Sequence, residues 1–377
     1  MRVLTLKDAP DLKGHTVLVR SALNVPIAGG KIAAPFRLEA ALHTLQYLVQ
    51  HGAKVVILSH INGDGVPSLR PVYEYLRTKL PLMFADDVVG DRALAAARGL
   101  QNGTALMLEN VRRDKREEAN DDEFARRLAL LGDIFVNDDF TVAHRVHASV
   151  VGVPKYLPSY AGLQFEAELS HLTRALEPQS PSIAIIGGAK FVTKEALIRA
   201  LLPKYDHLFI TGALSNDFFK AEGVEVGKSL VSPESHVKDL LKNGKIMLPV
   251  DVTVDGPLGR MHKDVDDVLE TEAIWDIGPR TLELVASVVR KSNTILWNGP
   301  TGKYEAGFTE MTCALAKVVA ESKGMSIVGG GDTIAAIETL GRQAEFTFMS
   351  TAGGAMLDYL AHGTLPGIEA LKNSRKV

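Results

Sequence analysis

Between Ser182 and Leu202 the chain reads SIAIIGGAKFVTKEALIRALL, and this stretch restricts the possible folds more than any other. Ile183, Ala184, Ile185 and Ile186 form an unbroken apolar run, the pattern of a strand buried on both faces of a parallel sheet. Gly187 and Gly188 then allow a tight turn. Phe191, Leu197 and Leu201 follow at helical spacing, which predicts a helix with one face on the sheet. Lys190 and Lys194 stand four apart, so on that helix they share a face. Unpaired N–H groups at a helix start favour an anion, and two ammonium groups beside them suit a polyphosphate. A glycine turn carrying two solvated lysines is the plainer reading of so short a pattern.

The same alternation of strand and helix fills the rest of the chain, in two series. The first has strands at Thr16–Arg20, Lys54–Ser59, Leu82–Phe84, Thr104–Leu108 and Asp133–Val136, with helices at Phe36–His51, Leu69–Leu80 and Asp121–Leu131. Gly52 ends the first helix, and the run Arg112–Glu118 is mixed in charge and reads beyond Arg112 as a solvated loop. Two prolines in Pro154–Ser159 close this series, and an amphipathic helix near Gly162–Leu176 connects it to the next. After the opening stretch, the second series has strands near His207–Thr211, Lys245–Val250, Asn293–Trp297, Ser326–Val328 and Glu345–Met349. Asp251–Val268 breaks the pattern as a hairpin insertion. The fold class is therefore α/β, with parallel sheets covered by helices on both faces.

Polar residues gather just after these strands, where doubly wound sheets bind their ligands. Arg20 and Asn24 follow one strand, His60 another, Asn110 and Arg112 a third, and Asn137, Asp138, His144 and Arg145 a fourth. That recurrence places Arg20, His60, Arg112 and Arg145 around one pocket, with Arg37 at the next helix start joining them. Such a set suits a small, multiply charged anion. Each alone reads equally as a surface charge or a helix cap. In the second series Trp297-Asn298-Gly299-Pro300 leads to Glu305, Gly329 leads through Gly330 and Gly331 to Asp332 and Thr333, and Met349 leads to Gly353 and Gly354. Glycine turns at helix starts can cradle a nucleotide. Asp332 offers an oxygen to Mg²⁺ or, alternatively, an N-cap to the helix that follows.

Charge and composition exclude several classes. A net charge of −3 argues against a general nucleic-acid or membrane-surface binder. No apolar run approaches a membrane span, and the polar start MRVLTLKDAP does not resemble a signal peptide. The single cysteine, Cys313, forbids an intrachain disulfide and reads as a buried, inert thiol in a reducing cytoplasm.

With these turns in place the chain resembles the phosphoglycerate kinase family from about Val17 to Leu371. The matching stretches include Asn24-Val25-Pro26, Leu108-Glu109-Asn110, Val136-Asn137-Asp138, Ala143-His144-Arg145, Gly187 to Lys190, Asp276 to Pro279, Trp297 to Pro300 and Gly329 to Thr333. The resemblance implies two doubly wound, Rossmann-like domains facing across a cleft. Residues 1–160 with a C-terminal return at about 362–377 would hold the acceptor, 161–177 would be the interdomain helix, and 178–361 would hold the nucleotide. It implies ATP or ADP with Mg²⁺ as small-molecule partners of a monomer. Lys194, Gly278, Glu305, Gly330, Gly331, Asp332 and Thr333 match the nucleotide positions, with Glu305 on the ribose. Lys190 and Arg37 match the cations on the transferring phosphoryl group. Arg20, Asn24, Arg37, His60, Arg112 and Arg145 match the phosphoglycerate pocket.

The departures cluster in that pocket. Where the family has Arg-Val-Asp-Phe-Asn, this chain has Arg20-Ser21-Ala22-Leu23-Asn24, without the carboxylate that meets the substrate hydroxyl. Where it has His-Leu-Gly-Arg-Pro, this chain has His60-Ile61-Asn62-Gly63-Asp64, without a phosphate-binding arginine. Thr141 and Val142 replace a Gly-Thr pair, and Arg113 stands in place of an aromatic as a partial compensation. Each lost bond to a charged group costs about 1.5–3 kcal/mol. The leading expectation is ATP-dependent phosphorylation of 3-phosphoglycerate. A kinase for another small carboxylic acid and a non-catalytic nucleotide-binding paralogue are the alternatives. An NAD-dependent dehydrogenase ranks below both, because no G-x-G-x-x-G follows the first strand.

Overall fold

The computed structural model describes residues 2–63, 67–233 and 236–375. The chain divides into two compact units, Met1–Ser170 with Thr364–Val377, and His171–Gly363, with the boundary inside the helix Leu163–Leu176.

The first unit is built on six parallel strands: β1 (Thr16–Ser21), β2 (Lys54–Leu58), β3 (Leu82–Ala85), β4 (Ala105–Leu108), β5 (Ile134–Asp138) and β6 (Ser159–Ala161). Their order in the sheet is β3-β4-β2-β1-β5-β6. Successive side chains of a strand point to opposite faces, and both faces are buried here. Val17, Val19, Val55 and Ile57 join a core that includes Leu38, Leu42 and Leu45 of the helix Phe36–Gln50. Leu18, Val56, Leu58 and Phe135 join the opposite core, with Phe124 and Leu128 of the helix Asp122–Ala129. Double-sided burial explains why these strands read as continuous apolar runs.

β1 lies between β2 and β5, with Arg20 opposite Leu58 on one side and Asn137 on the other. The chain leaves these three strands in opposite directions across the sheet, so the crevice for a ligand opens at their carboxyl ends.

The second unit has six parallel strands of its own: β7 (Ser182–Ile186), β8 (His207–Ile210), β9 (Ile246–Met247), then, after an insertion, β13 (Thr294–Asn298), β14 (Met325–Gly329) and β15 (Phe348–Met349). The order is β9-β8-β7-β13-β14-β15. The insertion is an antiparallel sheet of β10 (Asp251–Gly256), β11 (Gly259–Asp264) and β12 (Ala273–Ile277), one strand more than the expected hairpin.

Several expectations change. The sequence pattern does not predict helix Asp91–Arg98 or strand β6, because eight residues with a single large apolar side chain, Leu94, and a three-residue strand beside prolines carry little period. Helix Arg70–Leu76 ends short of Leu80, and β9 and β15 keep only two residues each of the longer runs. The stretch beyond Arg112 is not simply a solvated loop: Lys115–Glu118 is a short helix, and Glu117 is fully buried. Lys190 and Lys194 do not share a helical face. Lys190 is extended, Phe191–Thr193 makes one 3₁₀ turn, and the α-helix Glu195–Leu201 begins only after Lys194.

Candidate active site: a cationic pocket and a glycine cradle

In the first unit, the carboxyl ends of β1, β2 and β5 bring Arg20, His60 and Asp139 into contact. Arg20 is fully buried. Its Nε donates to Ser149 Oγ at 2.9 Å, Nη1 donates to Asp139 Oδ2 at 2.8 Å and to the Ser21 carbonyl at 3.2 Å, and Nη2 lies 2.9 Å from His60 Nδ1. Every nitrogen of this guanidinium thus has a protein partner. These bonds fix the orientation of Arg20 at the carboxyl end of β1. Ser149 is held in turn by Glu117, which accepts from its backbone N at 2.9 Å and from its hydroxyl at 2.5 Å.

His60 is also buried. Arginine has no lone pair to offer, so Nδ1 facing Arg20 Nη2 must be the acceptor. Burial, followed by the charges of Arg20, Arg112, Arg37 and His147, holds this imidazole well below the usual histidine range. His60 is therefore a neutral ring and not one of the pocket's cations.

The cationic side chains nearer solvent are Arg37, Arg112 and Arg145. Arg37 is half-buried and donates to the Asn24 carbonyl. Arg112 donates from Nη1 to Asn62 Oδ1 at 2.7 Å and lies 3.3 Å from Glu118. Asn62 in turn donates its backbone N–H to Asn24 Oδ1 at 3.0 Å, tying Asn24 to Arg112. Arg145 is exposed and makes no hydrogen bond or ion pair from its side chain among the described residues.

His147, absent from the sequence reading, belongs to this group. Burial, then the charge of Arg112, drives its pKa down to about 4, with Arg20 and Arg145 acting in the same direction. Its Nδ1 is buried without a hydrogen-bond partner. Its place two residues after Arg145 in the same loop was the available signal.

The departures are equally local. Ala22 is 3% exposed, so no carboxylate arises at that point of the β1 end. Gly63 is exposed, and Asp64 lies outside the described residues. Thr141 donates its backbone N–H and hydroxyl to Asp139 Oδ1. Arg113 does not compensate for the missing arginine, because Glu109 at 3.1 Å and Asp86 at 3.3 Å hold its guanidinium.

In the second unit, four turns converge at the carboxyl ends of β8, β7, β13 and β14. Gly187 N donates to the Asn298 carbonyl at 2.8 Å, and Gly212 N to the Thr301 carbonyl at 3.0 Å. A Cβ on Gly187 would lie 2.2 Å from the Pro300 oxygen. Gly188, Gly212, Gly299 and Gly330 have φ of +143°, +64°, +96° and +103°, conformations that glycine adopts without strain.

Lys194 is buried among these turns and donates to Asn298 Oδ1. Burial lowers its pKa to about 8. Lys190 is exposed, and its ammonium has no hydrogen bond or ion pair among the described residues.

A cavity of about 610 Å³ opens beside the cradle, its wall including Gly188, Gly212, Trp275, Pro300, Glu305 and Asp332. Burial, followed by the nearby Glu305 charge, raises the Asp332 pKa. Asp332 is not the N-cap. Gly330 holds that position, and Asp332 lies inside the first turn of Gly331–Leu340. Thr333 Oγ1, one residue on, is buried without a hydrogen-bond partner among the described residues.

Gly278 lies outside the cavity wall, which Asp276 and Ile277 form instead. A Cβ at Gly278 would lie 2.3 Å from the Asp251 carboxylate. That carboxylate caps the helix Pro279–Val289 through Arg280 N and Thr281 N. Buried Asp276 has its pKa raised to about 7 by desolvation.

One parallel-sheet unit with guanidinium groups clustered at its strand ends, and another with glycine turns, a buried lysine and a cavity, are suited to a small anion and to a nucleotide. The phosphoglycerate kinase family profile matches residues 6–363. A phosphoglycerate kinase of Roseiflexus sp. (strain RS-1) is 42% identical over 392 residues, covering 98% of this chain and 99% of that protein. The solved phosphoglycerate kinase from Coxiella burnetii superposes with a TM-score of 0.85 at 38% identity, covering 98% of each chain. That from Pyrococcus horikoshii OT3 gives 0.87 at 30% identity, with the same coverage of both chains. The chain belongs to the phosphoglycerate kinase family.

Proposed function

We infer that the chain catalyses reversible transfer of the γ-phosphoryl group of ATP to the carboxylate of 3-phosphoglycerate, giving 1,3-bisphosphoglycerate and ADP. The observation that carries this reading is the full-length match to proteins of that name, on a chain that keeps the lysine-bearing glycine turn intact. None of these relatives bears a name that favours a different acid or a non-catalytic role.

The acceptor carboxylate has an ordinary pKa near ~4, so it is ionised at neutral pH and needs no general base. Its oxygen bonds to the γ-phosphorus as the bond from that phosphorus to the β,γ-bridging oxygen breaks, and ADP leaves with the electron pair. The obstacle is repulsion between two anions. Catalysis then rests on positioning and on cations around the equatorial oxygens. Arg37 and the unpaired ammonium of Lys190 supply that charge. Arg112 and Arg145 hold the acid's phosphate, with Asn24 and the neutral His60 as further polar contacts. Lys194, Gly330, Gly331 and Thr333 hold the nucleotide phosphates, Glu305 the ribose hydroxyls, and Gly278 shapes the wall behind Ile277.

Mg²⁺ fits as a companion of the nucleotide. No group of three or more His, Cys, Asp or Glu side chains among the described residues forms a cage for it. Asp332 at the cavity supplies one hard oxygen, and the orphaned hydroxyl of Thr333 is beside it in sequence. The ion would neutralise phosphate charge, its usual part with such ligands.

No helix among the described residues is long and apolar enough to cross a membrane. We place the enzyme in the cytoplasm as a monomer. A coupled assay with ATP, Mg²⁺ and 3-phosphoglycerate tests the whole reading. Turnover that falls about 10²–10³-fold in Lys190→Ala supports it. Nucleotide binding without turnover on this acid would overturn it.

A further inference from the structure

One buried carboxylate beside Arg20 and His60 has no part in the reaction described above. Asp139 follows β5 directly and is 0% exposed. Both of its oxygens are occupied. Oδ2 accepts from Arg20 Nη1 at 2.8 Å, and Oδ1 accepts from Thr141 N at 3.1 Å and from the Thr141 hydroxyl. Its own N–H donates to Asn137 Oδ1 at 3.1 Å. Such a group cannot reach a substrate, but it can decide what its neighbours present to one.

Arg20 is clamped at two corners of its plane, by Asp139 at Nη1 and by the Glu117-anchored hydroxyl of Ser149 at Nε. The remaining nitrogen, Nη2, is thereby aimed at His60 Nδ1. His60 Nδ1 also lies 3.9 Å from Asp139 Oδ2, so a direct histidine–aspartate ion pair is the competing arrangement. It fails on geometry. A proton on Nδ1 would set an N–H against an arginine N–H only 2.9 Å away.

We propose that Asp139 is a positioning residue for the acceptor, fixing His60 through Arg20 as the neutral Nε2–H tautomer. The imidazole then meets the acid with one hydrogen-bond donor. Which ring nitrogen carries the proton is commonly set by the partner of the other. Here that partner is a donor, and the buried carboxylate behind it keeps it in place. The direction of the His60 pKa agrees, since burial and the surrounding guanidinium groups disfavour a second ring proton. The acceptor's identity rests on the function proposed above, whereas the tautomer is a property of the free protein.

Long-range proton–nitrogen correlation spectra of the full chain, without substrate, read the ring nitrogens directly, with His60 assigned by its loss in His60→Gln. The expected wild-type pattern is a protonated Nε2 and an unprotonated Nδ1. Asp139→Asn is expected to yield a mixture of tautomers. It should also raise the KM for 3-phosphoglycerate about tenfold, the size of one hydrogen bond, with the KM for ATP unchanged. Removing one partner of a buried pair can prevent folding, so Arg20→Met/Asp139→Leu is the second variant, because loss of both charges together is tolerated far better. It should show the same mixture and the same shift in KM. A protonated Nδ1 in the wild type overturns the proposal. So does a single Nε2–H form in the double variant with an unchanged KM. Absence of wild-type turnover on 3-phosphoglycerate would count against the assigned reaction only, and the spectra would still decide the role of Asp139.

Discussion

Gly187 and Gly299 press their backbones together at the ends of adjacent strands, so closely that a Cβ on Gly299 would lie 2.4 Å from the Gly187 oxygen. Neither turn can move aside, because Gly187 N is bonded to the Asn298 carbonyl and the strands on both sides are in register. Gly187→Ala and Gly299→Ala should each cost about 1–3 kcal/mol through overpacking, with a further penalty at Gly299 for its positive φ. Thermal unfolding of the two variants checks this. Gly331→Ala serves as the control, since a Cβ there meets open space. Equal melting temperatures for all three would show that the turns are not in contact.

The two lysines of the cradle should separate in their effects. Lys194 is buried with a pKa of about 8, and Lys190 is exposed, without a side-chain partner among the described residues. At a pH slightly above 8 the free protein has lost part of the Lys194 proton, and a bound polyphosphate should restore it. Calorimetric titration with ADP in two buffers of different ionisation enthalpy should therefore show proton uptake. Lys194→Met should abolish the uptake and weaken binding by about 10- to 150-fold. Lys190→Ala should retain the uptake while turnover falls by about 10²–10³-fold, the scale of losing one charge-stabilising donor. Proton release on binding would refute this assignment.

Much of this cradle was legible in the sequence, and the reason is physical. Parallel strands buried on both faces are continuous apolar runs, and glycines whose Cβ would collide cannot be hidden in a composition. Arg20, Asp139 and Glu117 show where legibility stops. Arg20 reads as a strand-end cation, Glu117 as part of a solvated loop, and Asp139 carries no signal in its local window, yet all three are fully buried. Whether a polar side chain at a strand end points inward depends on the register of β1 against β2 and β5, which no local window contains. The same holds for His147, whose significance arises only from its neighbours Arg112 and Arg20. A helix as short as Lys115–Glu118 and a strand as short as Ser159–Ala161 hold too few residues to display a period.

The altered pocket makes a prediction about the acceptor. Among the described residues a Cβ at Gly63 would touch only Pro67 Cβ, at 3.6 Å, and the position is exposed. Ala22 differs, since at 3% exposure a new carboxylate would be buried and would cost stability. Ala22→Asp/Gly63→Arg should raise activity on 3-phosphoglycerate, with Gly63→Arg alone giving most of the gain, about tenfold in KM. Initial rates across a range of acid concentrations measure it. Unchanged or lower activity in both variants would mean that the pocket does not bind the acid's phosphate beside residue 63.

Asp138 supplies the last test, through the pH dependence of folding. Its Oδ1 accepts from Gln164 N at 3.0 Å and Phe165 N at 3.2 Å, capping the helix Leu163–Leu176, and the Thr44 side chain is a further polar neighbour, while Oδ2 is buried without a hydrogen-bond partner among the described residues. Desolvation raises its pKa from 3.8 to about 7. The folded state therefore holds this proton where the unfolded state has lost it. Between about pH 4 and pH 7 the folded chain binds more protons than the unfolded one, so the contribution of this group to stability falls as pH rises. The slope is about 1.4 kcal/mol per pH unit for one such group, and it levels off above pH 7, where both states are ionised. The side-chain amide of an Asp138→Asn variant keeps the capping oxygen and has no charge to bury. The stability difference, variant minus wild type, should rise between pH 4 and pH 7 and then remain flat. Urea unfolding of both proteins across that range measures it, and a difference that falls or stays constant would show that Asp138 is ionised throughout.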